Sequence, residues 1–357
     1  MGVGADPVCV HRSDDGCGVN TPVIQQAVLV TGAGGFIGRE VVRRLAREPG
    51  VVVRGGTRDG RPIGPGVASC RMDVREAAEV AEALRGIDAV VHCAVGNSTT
   101  TVEGTSTLLQ LAARAGVRRI VHFSSVAVYG TTPGEVHEAS ALVAAKGRGY
   151  AHWKVAAEVA CHAAANERMD VVMLRPAIVY GPGAGWLTQP ARRLLSGVWG
   201  GLGTLGQGTC NPVHVSDVAE ACLVAIRMSG FAGCEAFNIS GPEVLTWNAW
   251  HERLAALLGC PPPPEVSPAS WRRRSLFGLP FKALRRLSPA AGKLFERQIL
   301  AAPSSMELAL FALAATYPTD KAAARLGWQP QVGLEEGLAG SVAWLRASGL
   351  IPAGHAT

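Results

Sequence analysis

Tyr150 and Lys154 stand four residues apart in GYAHWKVAAE, the spacing that puts two side chains on one face of a helix. A phenol near its reference pKa of about 10 is a poor base at neutral pH, and an ammonium one turn away eases formation of the phenolate. The pair can therefore move a proton for a substrate brought up to it. Ser124 and Ser125 end the apolar run RRIVHF and offer hydroxyls that could hold a substrate oxygen. The chain contains a control with the same spacing, Tyr317 and Lys321, but Pro318 follows that tyrosine and no strand leads up to it. Three groups able to converge favour chemistry at Tyr150 over an incidental surface pair.

A second chemical signature lies near the start. Gly32, Gly35 and Gly38, spaced three and three in TGAGGFIG, follow the β-branched run AVLV and precede a helical pattern. Glycine at these points allows a tight turn, close approach of backbone N–H groups to a pyrophosphate, and close packing of helix on strand. With a strand before it and a helix after it, the turn predicts a dinucleotide site. At the end of the second strand an acid would accept from the adenosine ribose hydroxyls, whereas an arginine suits a 2′-phosphate. VVVRGGTRDG places Arg58 there beside Asp59, which favours NADP(H) over NAD(H). Asp73, after the third strand, is suited to the adenine amino group or to capping its own turn.

The elements that must position these residues alternate. Strands are expected at 27–30, from Val51, up to Val74, at 88–95, through RRIVHFSSVAVYG and through DVVMLRPAIVYGPG, with helices at 75–85, 102–115 and about 149–166. That order predicts an α/β protein of Rossmann type, a doubly wound parallel sheet. NPVHVSDVAEACLVAI reads as one more strand and helix. The last third reads as a smaller, mostly helical cap over the carboxyl edge of the sheet, where such folds bind ligands. The expected division is a flexible tail at 1–25, a dinucleotide-binding part at 26–183 to which 208–240 returns, and a substrate-binding cap from 184–207 and 241–357.

Composition bounds the rest. The chain has 357 residues, 48% of them hydrophobic, with a mean hydropathy of +0.19, which excludes disorder for most of it. No run reaches the roughly 18 uncharged apolar residues of a membrane span. The first twenty residues have no apolar h-region, and nine cysteines without a C-x-x-C pair fit neither a disulfide framework nor a zinc site. A reducing cytoplasm is therefore expected, and no metal. The net charge of +6 is local: residues 268–300 hold eight basic side chains and one acid, Glu296, and the rest of the chain is nearly balanced. Nucleic acid is accordingly not expected as a partner. The basic segment, interleaved with Trp271, Phe277, Phe281 and Phe295, is expected to be a solvated cap helix or to border the substrate entrance and meet something anionic or amphipathic.

Taken in order, TGAGGFIG, MDVR, HCAV, FSSVAVYG, YAHWK and LRPAIVYGPG resemble the extended short-chain dehydrogenase/reductase superfamily, which includes nucleotide-sugar epimerases and dehydratases. The likeness runs from residue 27 to about 345. It implies Tyr150 as acid/base, Lys154 as the group that holds the nicotinamide ribose and lowers the tyrosine pKa, and Ser125 as the residue that orients the substrate oxygen. It also implies a cofactor site built from Gly32, Gly35, Phe36, Ile37, Gly38, Arg58, Asp73, Val74, Ala94, Tyr150, Lys154 and Pro176. Departures narrow the reaction. Val126 and Ala127 replace the Asp-Glu pair of the dehydratases and cannot transfer protons. Ile178 and Cys210 replace an Asn and an Arg that bind nucleotide diphosphates in sugar epimerases, and Thr101 replaces an Asn at the head of a helix. The expectation is an NAD(P)(H)-dependent oxidoreductase moving a hydride to or from a secondary alcohol or ketone of a small, non-nucleotide substrate. A sugar or nucleotide-sugar epimerase working through a transient ketone is the alternative, and a non-catalytic dinucleotide sensor the third reading. Assembly as a homodimer is compatible with all three.

Overall fold

The computed structural model describes residues 25–229 and 231–352, so that the expected tail, apart from Gln25, lies outside the described residues. The order is β1 (Gln26–Thr31), α1 (Phe36–Leu45), β2 (Val51–Thr57), β3 (Ala68–Arg71), α2 (Ala77–Ala83), β4 (Ala89–His92), α3 (Gly104–Arg114), β5 (Arg119–Phe123), α4 (Tyr150–Ala164), β6 (Asp170–Pro176), α5 (Gly185–Leu195), α6 (Val215–Arg227) and β7 (Cys234–Ile239). The seven strands form one parallel sheet in the order β3-β2-β1-β4-β5-β6-β7. Strand order reverses between β1 and β4, and the crevice at their carboxyl ends is where such sheets bind ligands.

Side-chain alternation explains the layering. Val28 and Val30 of β1 pack with Val41, Val42 and Leu45 of α1 and with Val218 and Cys222 of α6. Leu29, between them, faces the other way and packs with Leu84, Leu108 and Leu109 on the α2–α3 side. Both faces of the strand are thus buried, as a parallel sheet requires.

Two expectations about strands are corrected. The segment 170–183 is not one strand: after Pro176 the Ala177 N–H turns to the Ile239 carbonyl (2.9 Å) and the Ile178 N–H to that of Asn211 (3.0 Å). Ile178–Tyr180 then pairs with Pro212–His214 in a small ladder outside the main sheet. The strand read in NPVHV is that short piece, while the seventh sheet strand is CEAFNI, which sequence reading passed over. The fifth strand stops at Phe123, and Val126–Tyr129 forms a 3-10 turn.

The remaining helices, α7 (Trp247–Leu258), α8 (Pro268–Phe277), α9 (Leu279–Leu287), α10 (Pro289–Leu294), α11 (Glu296–Ala301), α12 (Ser305–Ala312) and α13 (Leu334–Ala347), make up the C-terminal portion. Their core is aromatic. Trp247, Trp250 and Trp271 are fully buried, with the Trp199 ring tilted against Trp271 at 4.5 Å and Phe311 edge-on to Trp247 at 4.9 Å. Capping fixes α12, where Ser304 and Glu307 exchange side-chain bonds to each other's backbone N–H. By contrast α9 and α10 bury no residue at all.

Candidate active site

The Gly turn is shaped to admit a pyrophosphate. Gly32 has φ +62°, and a Cβ there would come within 2.8 Å of the Ala94 backbone nitrogen. A Cβ on Gly38 would strike the Gly32 carbonyl, so Gly38 serves the packing of α1 on the turn and lines neither of the cavities described below. Gly35 caps α1 without any side-chain bond, and no acid stands in its first turn, leaving its N–H groups free for an anion. A cradle that side chains would fill is what a dinucleotide needs.

Beside the turn a cavity of about 550 Å³ runs over the carboxyl ends of β2 and β3. Arg58, Asp73, Val74 and Ala94 line it, together with Gly32 and Gly35. Asp59 also lines it, and its carboxylate is paired with Arg61 at 2.6 Å. Asp73 is similarly engaged. The Arg75 guanidinium sits 2.5 Å from its carboxylate, which is held down to about 2 by that hydrogen bond first, and its oxygen also accepts from the Arg75 N–H. Among these side chains Arg58 is left without an ion pair among the described residues.

The second group of predicted residues converges beyond the turn. Ser125 follows β5, adopts an extended backbone and caps the 3-10 turn, its Oγ accepting from the Ala127 N–H at 3.2 Å. Tyr150 is the first residue of α4, launched by Gly149 at φ +105°, and its side chain lies beside Ser125. Although the residue keeps 37% of its surface exposed, burial pushes its phenol above the ordinary value, and the Ser125 hydrogen bond opposes that shift. One turn later Lys154 is buried, with Nζ 5.9 Å from the Tyr150 ring centre and donating to the Phe123 carbonyl at 2.5 Å. Burial lowers its ammonium to about 8, so that it is mostly charged at neutral pH.

Behind this trio lies a buried network that sequence reading missed. Ser124 Oγ donates to Glu158 Oε1 at 2.5 Å, which settles Ser124 into a structural role. Arg175 donates to both Glu158 oxygens (2.9 and 2.7 Å) and to the Tyr129 hydroxyl (2.8 Å), which in turn donates to Asn238 Oδ1 at 2.7 Å. The chain of bonds ties α4, β5, β6 and β7 together directly under Tyr150 and Lys154. A signal existed: Glu158 continues the four-residue spacing of Tyr150 and Lys154, and Arg175 interrupts an otherwise apolar strand.

Over the trio opens a cavity of about 520 Å³. Phe36, Ile37 and Pro176, expected on the cofactor, line it along with Ser125 and Tyr150, so the two cavities adjoin at the step from Gly35 to Phe36. Val126, Ala127 and Ile178 line it too, apolar where acids or an amide would stand in dehydratases and epimerases; Cys210 is buried elsewhere. The cap side comes from Met306, Ala309, Leu310, Leu313 and Tyr317. This corrects one expectation: Tyr317, weighed in the sequence as an incidental copy of the spacing, faces the site and stacks on Tyr129 at 6.0 Å. Residues 268–300 do not line the cavity, which fits a solvated helix or one at its border. Its companion Lys321 is remote, bonded to the Ala236 carbonyl and Glu235. His92 and His122 lie buried in the sheet, as core residues. Among the described residues no group of three or more His, Cys, Asp or Glu could hold a metal ion.

A parallel seven-stranded sheet with a Gly turn at its switch point and a Ser, Tyr, Lys trio beyond it defines a Rossmann-type nicotinamide enzyme. The chain belongs to the NAD dependent epimerase/dehydratase family, whose model matches residues 28–240. It is an NAD-dependent oxidoreductase or epimerase of the extended short-chain type. It is 29% identical over 349 residues to UDP-glucose 4-epimerase of Mycolicibacterium smegmatis, covering 89% of this chain and 98% of that one. It is 27% identical to 2-alkyl-3-oxoalkanoate reductase of Stenotrophomonas maltophilia, over 87% and 97% of the two chains. Among solved structures, MoeE5 in complex with UDP-glucose and NAD superposes with a TM-score of 0.68 at 26% identity, over 90% and 99% of the chains. No helix among the described residues is long and apolar enough to cross a membrane.

Proposed function

We propose that this enzyme interconverts a secondary alcohol and a ketone on a small, apolar, non-nucleotide substrate, with NADP(H) preferred over NAD(H). The observation that carries the reading is the lining of the cavity at Tyr150: no Asp, Glu, Lys, Arg or His side chain faces it. A nucleotide diphosphate buried there would leave its charge uncompensated, at a cost of several kcal/mol. The bound cofactor supplies a hydride acceptor or donor at the nicotinamide. In the reductive direction the Tyr150 hydroxyl gives its proton to the carbonyl oxygen as the carbon gains hydride; in the oxidative direction the phenolate takes the alcohol proton. Lys154, charged and one turn away, stabilises the phenolate and holds the cofactor ribose, while Ser125 donates to the substrate oxygen. Phe36, Ile37, Leu310 and Trp186 exclude water from the reacting carbon. The likeness to a 2-alkyl-3-oxoalkanoate reductase supports reduction of a ketone on an alkyl chain, although that relative's substrate also carries a carboxylate.

Epimerisation remains the second reading because the match to a UDP-glucose 4-epimerase spans nearly the whole of both chains. Both reactions use the same trio and differ in whether cofactor is consumed. Nicotinamide absorbance followed with medium-chain ketones, cyclic ketones and UDP-glucose separates them. Consumption of NADPH with apolar ketones is expected. Conversion of UDP-glucose without net cofactor turnover, together with inert ketones, overturns the proposal.

A further inference from the structure

Helices α8 to α11 combine exposed apolar side chains with unpaired positive charge. Leu276, Phe277, Leu287 and Leu294, joined by Met306 in the first turn of α12, are each at least 67% exposed, and every large apolar side chain above 60% exposure among the described residues is one of these five. Within α9, Leu279, Ala283 and Leu287 recur every fourth residue with Leu284 beside them, so they share one outward face. The segment is nevertheless anchored: Trp271 is fully buried and donates to the Gly201 carbonyl at 3.2 Å, Ile299 is buried, and Phe281 packs on Phe295 at 4.9 Å. Its one acid, Glu296, is paired with Arg192. Arg272, Arg273, Arg285, Arg286, Lys293 and Arg297 are exposed and form no ion pair among the described residues.

We propose that this face docks the enzyme onto an anionic lipid surface, α9 and α10 lying in the interface plane with their leucines among the acyl chains and the arginines at the headgroups. Charge complementarity selects that occupant. A stripe of Leu and Phe flanked by Arg and Lys, on helices too short to span a bilayer and burying nothing of their own, matches the chemistry of an interfacial amphipathic helix. The patch also reaches the site: Met306 is 69% exposed and lines the cavity over Tyr150. Docking therefore brings the cavity mouth to the lipid, so that an apolar substrate enters without crossing water. That consequence rests on the apolar-substrate reading; docking itself does not.

The test is co-sedimentation of the full chain with vesicles of phosphatidylcholine alone and of phosphatidylcholine mixed with phosphatidylglycerol. Binding is expected on the mixed vesicles, weakened by salt, and little on the neutral ones. Arg285→Ala and Arg286→Ala should each lower partitioning about fivefold. Leu287→Glu with Leu294→Glu should lower it about tenfold or more at unchanged melting temperature, since neither side chain is buried. Tyr150→Phe should bind vesicles like the parent, which separates failure of docking from failure of the reaction proposal. Absence of binding to mixed vesicles, equal binding of the leucine variant, or a parent dimer that this variant splits into monomers each overturns the proposal, the last by making the face a contact between two copies.

Discussion

In the proposed reaction Tyr150, a phenol whose surroundings push its pKa upward, has to exchange a proton near neutrality. The two groups able to counter that burial are the Ser125 hydroxyl and the Lys154 ammonium, and both stand within a turn or a hydrogen bond of it. Tyr150→Phe should therefore lower kcat by about a thousandfold or more while cofactor affinity, followed by fluorescence titration, changes little. Turnover within tenfold of the parent would remove Tyr150 from the reaction. Arg58 makes a separate case. Asp59 and Asp73 are each paired with an arginine while Arg58 forms no ion pair among the described residues, which is why the proposal assigns Arg58 to a 2′-phosphate. Arg58→Ala should weaken NADP(H) about tenfold or more and leave NAD(H) nearly unchanged, whereas equal losses would mean that Arg58 contacts a group the two cofactors share and not the 2′-phosphate. These residues were readable in sequence because their partners are near in the chain: Lys154 is four residues from Tyr150. Tyr317 was not, because it reaches the site only through the path of the cap, and its own four-residue neighbour points elsewhere.

At the scale of elements, β4 and β5 carry histidines into the middle of the sheet. His92 bridges Thr31 and Thr105 at 2.7 and 2.9 Å, whereas neither ring nitrogen of His122 has a hydrogen-bond partner among the described residues. Burial holds His92 down to about 3 and His122 well below its ordinary value; in α7, burial holds His251 down to about 4. All three folded values lie below the unfolded value near 6.5, so the stability that goes with neutral histidine is complete above pH 6.5 and drains as the unfolded chain takes up protons. The loss continues down to about pH 4 for His251 and pH 3 for His92, at about 1.4 kcal/mol per pH unit for each residue. Melting temperature measured from pH 7 to pH 5 should fall accordingly, and His122→Leu, which leaves no polar group unpaired, should fall less steeply. An equal slope would mean that His122 does not stay neutral in the fold. The same strands show what sequence hides about elements. β4 and β5 are continuous apolar runs, legible as buried parallel strands, whereas β7 carries Glu235 and Asn238 and reads as loop. Asn238 is polar because it closes the Tyr129–Arg175–Glu158 network, a tertiary reason that no local pattern contains.

The whole molecule is a parallel sheet with the Gly turn at its switch point and a helical C-terminal portion, which the proposed function makes the wall that selects the substrate. The first six strands and the Gly turn of the sheet were legible because turn, strand and helix obey local rules, though β7 and the ends of the fifth and sixth strands were not. The helical portion was not, because α8 to α13 are placed by a buried tryptophan cluster whose members lie far apart in the chain. The sequence located the excess charge and left open whether it is a solvated face or borders the substrate entrance; none of residues 268–300 lines the cavity at Tyr150. With the charge outside, substrate selection falls to α12, whose Leu310 faces the cavity opposite Ser125 and Tyr150's helix. Leu310→Arg should therefore raise KM for an apolar ketone about tenfold or more, because a guanidinium desolvated by such a substrate finds no acid in the lining to pair with. NADPH affinity should be unchanged, since Leu310 does not line the cavity at the Gly turn. A KM that stays put would place the substrate away from α12, and a KM that falls for carboxylated ketones alone would show the same wall engineered to receive an anion, which the natural lining does not offer.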